Sequence, residues 1–427
     1  MDRRLSRNAQ APLLVAFSGG GDSLALLLMT HAWARDAGRR LMAVTIDHQL
    51  HSQGAAWARW CVRRCEALGV THRTLIWDGP KPTRGLHAAA RMARHELLSQ
   101  AARDAGAQVI VMGHTADDCL EAAWMRGQGA TTPSPREWSP SPVWPGGREI
   151  FLLRPLLSLR RAALRVHLRE IGEDWIEDPG NDDAASARIR ARRVIAQGAS
   201  PDPGLSPPLS CGSPPMREGP AGDLTAEAHR ILDAGEETAR AWLGTALVCA
   251  GGGDRAPARR ALNMLLTRLQ STAPFASTLA GAYLDFDGAR LVIVREALDR
   301  RASSGADLIL QPGEAAVWDG RFEITAQVPG WSVGFAAGRA GRLEKADRQA
   351  LLTLPACARA GAPTLIGPDG RLFCPTLKPV KGIEIRSLIM TRLAASLGAI
   401  EHESAIGHGE MRTPTLNPCD EWEEARR

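Results

Sequence analysis

The sequence has almost no lysine and almost no tyrosine. Four of its 52 basic residues are Lys (Lys81, Lys345, Lys378 and Lys381), and one tyrosine stands against 12 tryptophans. Arginine is the better residue for bidentate phosphate contacts. An excess of this kind still reads as a coding bias, so arginine count alone is no sign of nucleic-acid binding. No run of 18 or more apolar residues occurs, which argues against a membrane span. The N-terminus carries no secretory apolar core with a small-residue cleavage site. The eight cysteines include no Cys-x-x-Cys pair, which disfavours a zinc ribbon, an iron–sulfur site and a redox dithiol. Cys61 and Cys65 are four apart on one helical face and are expected in the core. These absences describe a reduced, cytoplasmic protein without a membrane partner.

What is present fits two or three domains. The chain has 427 residues, 44% of them hydrophobic and 23% charged, ordinary values for a globular protein. The formal net charge of +5 only permits an anionic partner.

The first 115 residues alternate short apolar runs with helical patterns. Strands are expected at 13–17, 41–46, 73–77 and 109–113, and helices at 24–37, 55–68, 86–105 and 115–126. This alternation predicts an α/β fold, a doubly wound and mainly parallel sheet. Ligands in such sheets sit at the carboxyl ends of the strands. Residues 127–147 hold five prolines and are expected as a long loop, and a helix is expected at 158–172. Residues 197–223 hold seven prolines and are expected as a linker. The domains read as a catalytic region 1–196, the linker 197–223, a helical then α+β accessory region 224–400, and a disordered tail 401–427. Helices are expected at 224–249 and 256–269. The tail from Glu401 carries seven acidic and three basic residues.

The strongest motif is Ser18-Gly19-Gly20-Gly21-Asp22-Ser23, between the first strand and the first helix. Glycines let the backbone turn tightly and aim several N–H groups inward, forming an anion nest. The helix N-terminus adds positive potential, and Ser18 and Ser23 can donate hydroxyls to phosphate oxygens. Asp22 would repel phosphate unless a divalent cation bridges them, so it implies Mg²⁺. No lysine stands nearby, which excludes a P-loop of the Gly-Lys-Ser type. A second constellation, His114-Thr115-Ala116-Asp117-Asp118-Cys119-Leu120-Glu121, starts the fourth helix. Asp118 and Glu121 are three apart and share a helical face, suited to a cation or an ammonium group.

The first motif resembles the PP-loop of the N-type ATP pyrophosphatases, which cleave ATP between the α and β phosphates. The second resembles the His-x-x-Asp-Asp-x-x-Glu-Thr motif of the tRNA(Ile)-lysidine synthetases. Asp47-His48, the segment Ala88 to Arg94, Arg154-Pro155-Leu156-Leu157, and Trp175-Ile176-Glu177-Asp178-Pro179-Gly180-Asn181 agree with that family. The last two lie outside the shared nucleotide core. The resemblance covers about residues 12–193. The sequence departs from the family at Gln49 (Gly), His51 (Arg), His95 (Tyr), Cys119 (Gln), Ala122 (Thr) and Gly180 (Ser).

The resemblance implies ligation of free lysine to the wobble cytidine of tRNA(Ile) with a CAU anticodon. ATP would be cleaved to AMP and pyrophosphate through an adenylated cytidine. Ser18, Gly19, Gly20, Gly21, Asp22 and Ser23 would bind ATP, with Asp22 on Mg²⁺. The candidate catalytic residues are Asp22, Asp118, Glu121 and Arg94, with the carboxylate pair facing lysine and Arg94 near the α-phosphate. His48 and His114 end strands beside the site. Arg188, Arg190 and Arg192 are candidates for tRNA backbone contacts. Trp138 and Trp144 could stack on a base. A thiolase of the same superfamily and a non-catalytic RNA-binding homologue are the alternatives; the first lacks its usual cysteine pair. Oligomeric state is left open, a homodimer being one option.

Overall fold

The computed structural model describes residues 1–130, 134–177, 187–196, 211–296 and 307–407. Two compact units divide the chain: Met1–Pro208 together with Ile400–Arg427, and Leu209–Ala399.

In the first unit the elements run β1 (Leu13–Ala16), α1 (Gly21–Asp36), β2 (Leu41–Asp47), α2 (Gly54–Ala67), β3 (Thr71–Ile76), α3 (Leu86–Asp104), β4 (Val109–Val111), α4 (Ala116–Gly127), β5 (Trp138–Pro140), β6 (Phe151–Leu153), α5 (Arg161–Glu170) and α6 (Ala187–Ala196). The sheet order is β3-β2-β1-β4-β6-β5. All neighbours pair in parallel except β5 with β6. Alternate residues of a strand point to opposite faces, so a sheet covered on both sides needs apolar residues at every position. The strands supply them. Val15, Phe17, Ala43 and Val111 pack with Leu24, Leu27, Cys61, Cys65, Leu164 and Leu168 on one face. Leu14, Met42, Val44, Ile110 and Leu152 pack with Leu98, Ala101 and Ala102 on the other. Cys61 and Cys65 are buried as expected, and burial pushes their thiols up to about 11 and about 12.

The proline-rich stretch 127–147 is not a plain loop. Among its described residues it contributes β5, the antiparallel edge strand. Trp138 stacks on Phe151 with ring centroids 5.0 Å apart and donates its indole N–H to Ile400 O at 2.8 Å. Both contacts tie its ring into the first unit.

The expected tail also differs. Residues 400–407 lie in the first unit. Glu403 accepts two bonds from Arg39, at 2.8 and 2.9 Å, and both side chains are buried. Glu403 also accepts from Ser6 N at 3.0 Å. A buried carboxylate needs such partners; composition alone did not reveal that one awaited it across the fold. Residues 408–427 lie outside the described residues.

The second unit is α+β. Its described residues form a five-stranded antiparallel sheet (Arg217–Glu218, Leu224–Glu227, Arg290–Arg295, Ala282–Phe286, Phe275–Leu279) covered by the helices Glu236–Gly251 and Arg259–Gln270. Four-stranded and three-stranded sheets follow. Two expectations need correction. The segment 211–223 is no free linker, because it adds a strand and buries Ala221 and Asp223; the remainder, 197–210, lies outside the described residues. Leu224–Glu227 is a strand rather than the start of a helix, since pairing with Arg290–Ile293 overrides its local pattern.

Candidate functional site

β1 ends where the glycine loop begins, and the loop turns directly into α1. Gly19 sits at φ +81, a region that favours glycine. A Cβ there would overlap Ile176 Cδ1, and Ile176 N donates to Gly19 O at 2.9 Å. At Gly21 a Cβ would lie 3.5 Å from the Trp175 ring. Trp175 and Ile176 therefore brace the loop from behind, which explains why a segment about 155 residues downstream accompanies it. Asp178 to Asn181 of that segment lie outside the described residues. Ser23 Oγ donates to Gly20 O at 2.9 Å and accepts from Ser18 N at 3.2 Å, and the two serine hydroxyls are 3.1 Å apart. The loop is held in shape by its own side chains.

The glycine loop opens on a cavity of about 1000 Å³ at the carboxyl ends of the strands. That is the upper end of the range for small-molecule sites. Ser18, Gly20, Gly21, Asp22, Ser23, Arg94, Asp118 and Arg192 all line it, as do His48 and His114. Glu121 joins through its ion pairs to Arg161 and Arg192. Burial depresses the His48 pKa, helped by the charge of Arg94, so the ring favours its neutral form.

Each carboxylate has a defined origin. Thr115 precedes α4, and its N–H and hydroxyl both donate to Asp118 Oδ2, at 2.9 and 3.1 Å, closing the helix start. Asp117, one residue earlier, accepts the backbone N–H of Arg161 at 2.7 Å, and so caps the first turn of α5. That contact presents the Arg161 side chain to the cavity. Arg161 Nε donates to Asp22 Oδ2 at 2.8 Å, Nη1 to Glu121 Oε1 at 3.4 Å, and Nη2 stands 3.7 Å from Asp118 Oδ2. Burial alone would lower the Arg161 pKa; the bond to Asp22 and the charges of Asp22, Asp118 and Glu121 outweigh it and raise it. Arg192 Nε donates to the same Glu121 oxygen at 2.7 Å.

The expected ammonium-binding pair is thus engaged by arginines. Sequence reasoning missed Arg161, one arginine among 48; its position four residues after the Arg154-Pro155-Leu156-Leu157 segment was the available signal. Arg192, expected at a tRNA surface, instead turns toward Glu121. Arg190 is exposed on α6, and the Arg188 side chain lies outside the described residues. A stacked pair, His51 on Trp57 at 4.6 Å, also lines the cavity and was not foreseen.

Among the described residues no group of three or more His, Cys, Asp or Glu could hold a metal. Asp22 Oδ1 is nevertheless buried without a hydrogen-bond partner in the structure. One carboxylate oxygen beside a phosphate cradle fits Mg²⁺, which commonly binds through one or two carboxylates plus substrate phosphates.

Residues 1–199 match the PP-loop domain family. A tRNA(Ile)-lysidine synthase from Caulobacter vibrioides is 41% identical over 95% of this chain and 97% of its own length. The chain belongs to the tRNA(Ile)-lysidine synthase family. A second member, from Rhizobium meliloti, is 35% identical over 78% of this chain and 76% of its own. Among solved structures, the U34-tRNA thiolase NcsA from Methanococcus maripaludis matches at 14% identity and a TM-score of 0.39, covering 45% of this chain and 69% of that one; a likeness at that level carries no weight. Membership makes the chain an ATP-binding PP-loop ligase of tRNA processing, and the thiolase alternative is not favoured. The described cysteines form no disulfide, and burial, with the charge of Asp118, raises the Cys119 thiol pKa away from a nucleophilic thiolate. No helix among the described residues is long and apolar enough to cross a membrane.

Proposed function

We propose that this site joins lysine to the wobble cytidine of tRNA(Ile) bearing a CAU anticodon, in two steps. First the C2 carbonyl oxygen of cytosine attacks the α-phosphate of ATP and pyrophosphate leaves. Then the ε-amine of lysine displaces AMP, giving lysidine. The observation that carries the reading is the meeting of Asp22 of the phosphate loop with Asp118 and Glu121 of α4 around Arg161, beside one cavity. Such a site handles a polyphosphate and an amine side by side, which is what two successive displacements at one base require.

In this reading Ser18 to Ser23 cradle the phosphates with backbone N–H groups and hydroxyls. Asp22 Oδ1 would hold Mg²⁺, which would neutralise charge on the departing pyrophosphate. Arg94 lies in the same cavity and stabilises negative charge at the α-phosphate. Asp118 and Glu121 bind the lysine ammonium and guide its deprotonation. Arg190 and Arg193, exposed at the end of the unit, meet the tRNA backbone electrostatically.

The test is pyrophosphate release from ATP with a tRNA(Ile) transcript, with and without lysine, followed by nucleoside analysis. Lysidine in the digested tRNA is expected. Pyrophosphate release by folded protein with no lysine incorporated would sink the reading.

A further inference from the structure

We propose that Arg161 is a positioning residue for the ligation, setting Asp22 of the phosphate loop in register with Asp118 and Glu121 of the amine site. This rests on the lysine-ligase reading above. Each of its three guanidinium nitrogens addresses a different carboxylate: Nε to Asp22 at 2.8 Å, Nη1 to Glu121 at 3.4 Å, Nη2 to Asp118 at 3.7 Å. A planar fork can do this; a single ammonium cannot. The three acids come from two separate elements, the phosphate loop and α4, so one side chain ties the ATP cradle to the amine-binding helix. The arginine itself is fixed at its backbone, since Asp117 accepts its N–H at 2.7 Å.

The charges give the arrangement a purpose. Three carboxylates this close repel one another strongly in a partly desolvated cavity. Arg161 stands among all three and relieves that repulsion, leaving Asp118 and Glu121 ionised beside the cavity where an ammonium would bind. Asp22 is bonded through Oδ2, while Oδ1 has no hydrogen-bond partner in the structure. Arg161 thereby orients Asp22 with one oxygen reserved for a ligand. Its role is exerted through these acids and not by contact with the reacting atoms.

The test compares full-length wild-type protein with Arg161→Gln and Arg161→Lys. Three quantities are read: kcat for pyrophosphate release, lysine Kd by calorimetry, and the melting temperature. Arg161→Gln is expected to cut kcat roughly 100-fold, as removal of a preorganised charge does, and to weaken lysine binding about tenfold. Arg161→Lys restores the charge without the fork and should recover about tenfold of the lost rate. A Gln variant within about twofold of wild type in both kinetic readouts overturns the proposal. So does full recovery of both readouts by Arg161→Lys, because a single ammonium would then do what the fork does. Tighter lysine binding in the Gln variant also overturns it, because Arg161 would then be a competitor for the acids. If Arg161→Gln does not fold, Arg161→Lys decides alone: wild-type kcat and Kd overturn the proposal, an intermediate loss supports it. Wild-type protein that releases pyrophosphate without making lysidine sinks the ligase reading instead, while the effect of Arg161 on pyrophosphate release is still measured.

Discussion

Each unit contains an arginine–carboxylate cluster, and the two are built to opposite ends. In the second unit Arg321 and Arg295 share one acid, Asp319, at 2.7 and 3.0 Å. The surplus positive charge is met by carbonyls: Arg321 donates to Ala221 O and Gly361 O at 3.0 and 2.8 Å, and Arg295 to Gly281 O at 2.9 Å. Arg321 is fully buried, and burial lowers its pKa. In the first unit Arg161 stands among three acids, Asp22, Asp118 and Glu121, and Asp22 and Asp118 line a cavity. The same side chains make a closed cross-link in one case and a site in the other. What separates them is what the charged groups adjoin: backbone carbonyls, or space that a ligand can fill.

The largest effect tests the closed cluster. Arg321→Met leaves Asp319 against Arg295 alone and strands two buried carbonyls, which should destabilise the second unit by about 3–5 kcal/mol. Hydrogen exchange should show the loss within Leu209–Ala399; unchanged protection there would mean the cluster is no cross-link. Next is the open cluster. Asp22→Asn should reduce pyrophosphate release by roughly 10²–10³-fold while leaving the melting temperature near wild type. If release persists, Asp22 holds no cation, and the contrast between structural and functional clusters fails.

A smaller effect sharpens how the site is shaped. Gly19→Ala forces a side chain into a positive φ, at about 1–2 kcal/mol, and against Ile176. ATP affinity should fall, and adding Ile176→Val should recover part of it. No recovery would show that φ, not the brace, is the constraint. The smallest concerns His95, buried behind the cavity near Arg91, Arg94 and Arg154. Burial first, then those three charges, depress its pKa to about 3. The unfolded ring takes its proton near pH 6.5. Between those values the unfolded state binds more protons, so His95 favours folding above 6.5 and loses that contribution as pH falls toward 3. From pH 7 to 5, wild type should lose about 2 kcal/mol more than His95→Phe in denaturant titrations. Parallel curves would place the ring in contact with solvent.

Much of the first unit was legible because its signals are local. β1 to β4 and α1 to α4 follow from apolar runs and helical periods, and the glycine loop announces a phosphate cradle within six residues. Legibility failed where a partner lies far along the chain. Trp138 read as loop because its indole partner, Ile400, is 262 positions away; Glu403 read as tail because Arg39 is 364 positions away. Leu224–Glu227 read as helix until a neighbouring strand claimed it.

The sequence by itself determined the fold class, the phosphate loop, the candidate acids and, through its motifs, the family. The tertiary structure alone decided which charges meet. Asp22, Asp118 and Glu121 are spread over 100 residues, and nothing in their spacing selects Arg161 or Arg192 from the other arginines. Coulomb interaction acts through distance in space, and that distance exists only once the sheet has brought the loop and the helices together.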